Sequence, residues 1–182
     1  MRAILEATFR VLDEVGDALT TTRVAAVAGV SVGTLYQYFP NREALINGAL
    51  ADHLEAAIGA VEEATAAAAG LPLEVAAERV VRAFLAVKAE RAPVSRVLHR
   101  VFGTGKLDDR PAVRAATRRA TRAIAGLFAA GGEPSPEIVR RAELTTAALE
   151  GMVRAALEDD IERLRDPRWV EQVVSIAIRA VG

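Results

Sequence analysis

The chain has 182 residues, and its 23 basic and 24 acidic side chains leave a net charge of −1, so it lacks the overall basic excess typical of nucleic-acid binders. Cysteine is absent, which excludes disulfides, thiolate metal sites and a cysteine nucleophile. Hydrophobic residues reach 52% while aromatics make up only 4%, and abundant alanine with apolar residues at helical spacing predicts an all-α fold of two unequal parts.

The opening MRAILEATFR is an amphipathic helix pattern rather than a signal sequence, and no run of about 18 apolar residues occurs. A soluble, cytoplasmic protein with no membrane association is expected. The first helix places Ile4, Thr8, Val11, Leu12 and Val15 on one face and ends at Gly16. Thr20 is positioned to cap a short second helix over 21–28, whose inner side is Val24, Val27 and Ala28. Gly29-Val30-Ser31 forms a three-residue turn in which glycine reverses the chain and serine caps a third helix over 32–39. Pro40 stops that helix. Asn41 can cap a long fourth one from Arg42 to about Ala69, with Glu43 in its first turn where a carboxylate suits the helix dipole.

Gly70-Leu71-Pro72 breaks the pattern, and further helices are expected near 73–91, 93–102, 110–130, 136–164 and 167–181, about nine in all. The breaks at Gly103-Thr104-Gly105, at 131–136 and at Asp166-Pro167 carry turn and capping chemistry.

The short third helix is the most informative segment. At 100° per residue Val32, Leu35 and Phe39 share one side, Gly33 and Gln37 the opposite one, with Thr34 and Tyr36 on the flanks. Such an outer face, neutral, short and rich in hydrogen-bonding groups, suits insertion into a DNA major groove. Glutamine can pair with an adenine edge, threonine can bond a base or touch a thymine methyl, and glycine permits close approach. Flanking tyrosine hydroxyls reach phosphates, which orient the helix without specifying sequence.

From Ile4 to about Leu50 the sequence resembles the DNA-binding domain of the TetR family of transcriptional regulators, most specifically over AGVSVGTLYQYFPNREAL from Ala28 to Leu45. The resemblance implies an N-terminal three-helix helix-turn-helix domain over 1–46 and a helical ligand-binding and dimerisation domain over 47–182. It implies double-stranded operator DNA as partner, contacted by Thr20, Thr21, Ser31, Val32, Gly33, Thr34, Tyr36, Gln37, Tyr38 and Arg42, with Arg23 as a further phosphate contact. Asp17 stands where the family commonly has an aromatic residue. The arginine-rich extension that often precedes the first helix is not seen before Ile4, which implies fewer phosphate contacts.

Beyond Leu50 the argument is physical. Ala147, Gly151 and Ala155 form a strip of small residues beside Met152, and the last helix presents Val173 and Ala177. These six are the expected dimer interface, since two long apolar C-terminal helices commonly form half of a four-helix interface between copies. A pocket for a small-molecule effector, hydrophobic or amphipathic in view of the few aromatics, is expected near Phe84, Leu98, His99, Phe102, Thr117, Thr121 and Thr145.

No cofactor or metal is expected. The only histidines, His53 and His99, lack a Glu-x-x-His spacing, and neither a catalytic triad nor a phosphate-binding glycine loop is present, which argues against an enzyme. The competing reading is a helical small-molecule-binding or carrier module that does not bind DNA. The family resemblance favours a ligand-responsive regulator, with derepression as the predicted output.

Overall fold

The computed structural model describes residues 1–102, 111–129 and 132–181, apart from the side chains at 17, 93, 99–102, 180 and 181. Among these residues there is no strand. The helices are α1 (Arg2–Val15), α2 (Thr21–Ala28), α3 (Val32–Tyr38), α4 (Arg42–Ala67), α5 (Leu73–Glu90), α6 (Ala92–Phe102), α7 (Pro111–Phe128), α8 (Pro136–Asp159) and α9 (Pro167–Val181). Short 3-10 turns occupy Gly16–Ala18 and Ile161–Arg165. None of the described helices is long and apolar enough to cross a membrane.

Capping chemistry sets the boundaries. Thr20 Oγ1 accepts from the Arg23 amide at 3.2 Å, Ser31 Oγ from Thr34 at 3.0 Å and Asn41 Oδ1 from Ala44 at 2.7 Å. Each satisfies an amide left over in a first helical turn and contributes about 1 kcal/mol. Ser135 and Asp166 do the same for α8 and α9. The expected helix over 136–164 is shorter than predicted: Asp160 leaves helical geometry at φ −150° and ψ 101°, and its side chain accepts from Glu162 to start the 3-10 turn.

The chain divides into two units, one of Met1–Leu54 with Pro93–Val113 and the other of Glu55–Ala92 with Arg114–Gly182. The division falls inside the continuous helix α4. The first unit therefore includes a later segment that the expected 1–46 domain leaves out. Val97 and Leu98 of α6 are buried with Leu12, Val24, Leu35 and Leu45 in one core, and His53 Nε2 lies 2.8 Å from Ser95 Oγ, both groups buried. Fully burying side chains of this size is worth about 1.5–3 kcal/mol each. In the second unit α5 packs on α9 and on the 3-10 turn, and α8 packs on α9. Its core holds Val80, Leu85, Leu149, Leu157, Leu164 and Val174 among others.

Candidate nucleic-acid interface and ligand cavity

The turn between α2 and α3 is built by Gly29, which sits in the left-handed region at φ 68° and ψ 29°. Its amide returns to the Ala26 carbonyl at 3.2 Å, and the Val30 amide to Ala25 at 3.0 Å. A residue with a Cβ would be strained there, so glycine fixes the reversal. Within α3 only Leu35 is buried, at 0% exposure, and Phe39 just beyond closes the inner side. That single anchor leaves Gly33, Tyr36, Gln37 and Tyr38 exposed, with Tyr36 at 46% and Tyr38 at 52%.

The exposed side chains are held by local bonds. The Thr21 hydroxyl lies 3.1 Å from the Tyr36 phenol, joining α2 to α3, and the Ser31 and Thr34 hydroxyls lie 2.8 Å apart. Arg42 Nε donates to the Leu19 carbonyl at 2.9 Å, which draws the guanidinium back toward the start of α2. Arg23 Nη2 pairs with Glu14 Oε2 at 2.8 Å, both side chains about half exposed. A Cβ at Gly33 would meet only Ser31 Oγ, at 3.7 Å; the chain's own packing does not require glycine there. Thr20 and Ser31 are exposed, whereas Val32 is half-buried against the core.

The second unit holds a cavity of about 30 Å³ between α4, α5, α7 and α8, walled by Val61, Val81, Phe84, Ala120, Ile124, Thr146, Leu149 and Glu150 among others. Phe84, one of the expected pocket residues, is among those that line this cavity. Thr117 donates to Glu150 Oε1 at 3.3 Å, and Thr121 donates to Thr146 at 3.4 Å, so both line up behind cavity residues. Thr145 is buried elsewhere on α8 and bonds the Arg141 carbonyl. Leu98 requires correction: at 1% exposure it belongs to the core of the first unit. The side chains of His99 and Phe102 lie outside the described residues.

Three groups near the cavity were not foreseen: Glu150, Thr146 and Lys88. The Lys88 Nζ stands 5.4 Å over the Phe84 ring. Burial pushes its ammonium below the usual lysine range, opposed by the charge of Glu150. The only sequence signal was a lone glutamate in the otherwise small and apolar stretch Ala147–Val153. An open groove of about 440 Å³ adjoins the ends of α4 and α7 and the start of α5, lined by Thr65, Ala68, Leu71, Leu73, Ala76, Leu127 and Phe128 among others.

On α8, Ala147, Gly151 and Ala155 are exposed and Met152 is half-buried, and the same face carries Leu144 at 68% exposure. On α9 the expected pair needs correction. Val173 and Ala177, at 2% and 3%, are spent on the chain's own core, while Ile176 at 51% faces outward. A side chain already buried has no area left to bury against another copy.

Two family models match the chain. One, described as bacterial regulatory proteins of the tetR family, matches residues 4–49, and one for a tetracyclin repressor-like C-terminal domain matches residues 72–179. Among solved structures, a transcriptional regulator from Rhodococcus sp. Rha1 is 20% identical with a TM-score of 0.76, the alignment covering 99% of this chain and 94% of that one. A TetR-family regulator from Streptomyces coelicolor is 24% identical at TM-score 0.71, covering 100% and 96%. The fatty acid degradation regulator of Bacillus halodurans is 16% identical at TM-score 0.74, covering 97% of each chain. At such identities the likeness concerns the fold. No curated protein matches the chain.

Proposed function

Because this chain belongs to the tetR family of bacterial regulatory proteins, we propose that it works in the cytoplasm as a homodimeric repressor, without enzymatic activity, released from a palindromic operator by a small hydrophobic or amphipathic effector. The observation that carries the DNA-binding half is the outer face of α3. Gly33, Tyr36, Gln37 and Tyr38 are exposed on a helix held by one buried leucine, with both neighbouring helices capped at their N-termini. A packing role does not account for such a face. A glycine that the protein itself does not need fits close approach to a base edge.

One recognition helix reads few bases, so two copies related by a two-fold axis are needed to read a palindrome. The exposed strip Leu144, Ala147, Gly151 and Ala155 of α8, with Ile176 of α9, is the surface we assign to that dimer. The effector enters among α4, α5, α7 and α8. A cavity of about 30 Å³ holds about one water, so any effector must part these helices. Since α4 runs without a break from Arg42 to Ala67, its displacement carries the signal, with a coupling of about 1–3 kcal/mol.

The test is a gel shift with DNA flanking the gene, challenged by excess unrelated DNA. Binding that survives the competitor supports the regulator. Equal loss to any competitor returns the chain to the carrier reading.

A further inference from the structure

The groove of the second unit lies where α4 and α7 end and α5 begins. Its volume of about 440 Å³ falls within the range of about 300–1,000 Å³ in which small molecules bind. The cavity of about 30 Å³ does not. Ten of the described residues line the groove, against about 20–30 on each side of a stable protein interface. Its size suits a small molecule and not a folded partner.

Among the described residues the lining carries no charge. Leu71, Leu73, Leu127 and Phe128 are its large side chains, and its one polar side chain, Thr65, donates its hydroxyl to the Val61 carbonyl at 2.7 Å. The guanidiniums beside it are engaged by the protein: Arg79 Nη1 donates to the Ala67 carbonyl at 3.2 Å, and Arg141 stands 5.8 Å over the Phe128 ring. An ion seated on such walls would give up water for little in return.

Gly126 is an independent observation at the same place. It lies inside α7, is half-buried and lines the groove. A Cβ built there would meet nothing within 4 Å, and the glycine is not among those with positive φ. Neither the chain's packing nor its backbone conformation therefore asks for glycine, which is less favourable than alanine in a helix interior. A ligand lying against the bare backbone of α7 accounts for it.

We propose that this groove is the seat of one uncharged, hydrocarbon-rich small molecule of up to about fifteen non-hydrogen atoms, at about 30 Å³ for each water-sized group. The biological use of the site rests on the regulator reading: the groove touches α4, α5 and α7, so it is where an effector first finds room among the helices it has to part.

The experiment is calorimetric titration of the full chain with butanol, hexanol, octanol and octanoate. One octanol is expected to bind per chain, with affinity rising about two- to fourfold for each methylene added from butanol, and octanoate severalfold weaker than octanol. Gly126→Ala should weaken octanol severalfold and Gly126→Leu at least tenfold, while the melting temperature stays level or rises in both, since the added carbon fills empty space and favours the helix. A merely structural glycine would give the opposite, a lower melting temperature with octanol affinity unchanged. That result, octanoate binding more tightly than octanol, or no gain along the alcohol series would each overturn the proposal. Operator binding of the ligand-free parent is scored in parallel. Its absence sinks the regulator reading whatever the calorimetry gives, and loss of octanol binding with operator binding intact sinks the groove alone.

Discussion

The Thr21 hydroxyl and the Tyr36 phenol lie 3.1 Å apart, so the first turn of α2 and the exposed flank of α3 are joined as one unit. A neutral hydrogen bond of this kind contributes about 0.5–1.5 kcal/mol. Tyr36→Phe and Thr21→Val are each expected to weaken operator binding about three- to tenfold. The double variant should lose much less than the product of the two, because either change breaks the same unit. Fluorescence anisotropy with labelled operator measures this; full additivity would show that the two side chains act separately.

Arg23 is held at 2.8 Å by Glu14 on α1, with both side chains about half exposed. An exposed pair of this kind is worth about 0–1 kcal/mol, so a phosphate can take the guanidinium over. Glu14→Gln removes both the competitor and a negative charge beside Arg23, and operator affinity should rise severalfold. Arg23→Ala should cost more in the Glu14→Gln background than in the parent. Residues 1–54 carry only Arg2, Arg10, Arg23 and Arg42 against Glu6, Asp13, Glu14, Asp17, Glu43 and Asp52. With Arg23 and Arg42 as the charged contacts of each protomer, log affinity should fall with log salt at a slope of about −4, shallow for a dimeric repressor. A titration between low and moderate salt checks it.

What the sequence disclosed and what it hid follow from the range of the interactions involved. The ends of α2, α3 and α4 were legible because Thr20, Gly29, Ser31 and Asn41 act on backbone groups a few residues away. The end of α8 at Asp159 was not, because Asp160 carries no glycine or proline signal and stops the helix through its own side chain. Apolar spacing marked Leu98, Val173 and Ala177 as inward-facing but cannot say which neighbour they meet. Leu98 joins the core of α1 to α4, and the other two join that of α5 and α8. Glu150 escaped notice because a single carboxylate on a helix reads as a solvated one until the cavity beside it is seen.

Gly48 lies against the ring of Phe39, the residue that follows α3. A Cβ built there would stand 2.6 Å from Cε1 of Phe39, whose ring is only 8% exposed. Glycine to alanine in a helix interior normally gains about 1 kcal/mol, but forcing a buried ring aside costs about 1–3 kcal/mol. Gly48→Ala should therefore be destabilising on balance and should weaken operator binding by shifting Phe39 and the α3 residues before it. Thermal melting and anisotropy on the same sample test this; a higher melting temperature would show that the ring moves at no cost.

Arg119 on α7 clasps two glutamates of α4, with Nη1 at 2.6 Å from Glu55 Oε2 and Nη2 at 2.7 Å from Glu62 Oε2. Hydrogen bonds from Arg119 hold both carboxyls below the usual glutamate value of 4.5. Groups whose folded pKa is depressed contribute stability above the unfolded value, and lose it as pH falls through the folded one. The clasp is thus fully present near neutrality and fails in acid below the ordinary glutamate range. Arg119→Met should lower the melting temperature at pH 7 and flatten its decline between about pH 5 and pH 3. Because all three side chains are partly exposed, solvent screening limits the effect, and added salt should reduce it further. Identical pH profiles for parent and variant would show that the clasp adds nothing to folding.

The exposed face of α8 and α9 makes the sharpest test of the assembly. Leu144 at 68% and Ile176 at 51% are among the most exposed large apolar residues described, and the proposed dimer would cover both. A Cβ at Gly151 meets nothing within 4 Å in the single chain, so Gly151→Ala should leave an isolated protomer unharmed or slightly stabilised by helix propensity, about 1 kcal/mol at most. In a dimer whose helices approach across Ala147, Gly151 and Ala155, a larger side chain has no room. Gly151→Leu and Leu144→Glu are therefore both expected to yield monomers with native helix content, seen by light scattering and circular dichroism. Those monomers should bind an isolated half-site weakly and lose at least a hundredfold in affinity for the full palindrome, about 2.7 kcal/mol. Val173→Ala, by contrast, removes bulk from the chain's own core and should lower the melting temperature while leaving the dimer in place. If Gly151→Leu remains dimeric while Val173→Ala falls apart, the interface lies elsewhere on the molecule.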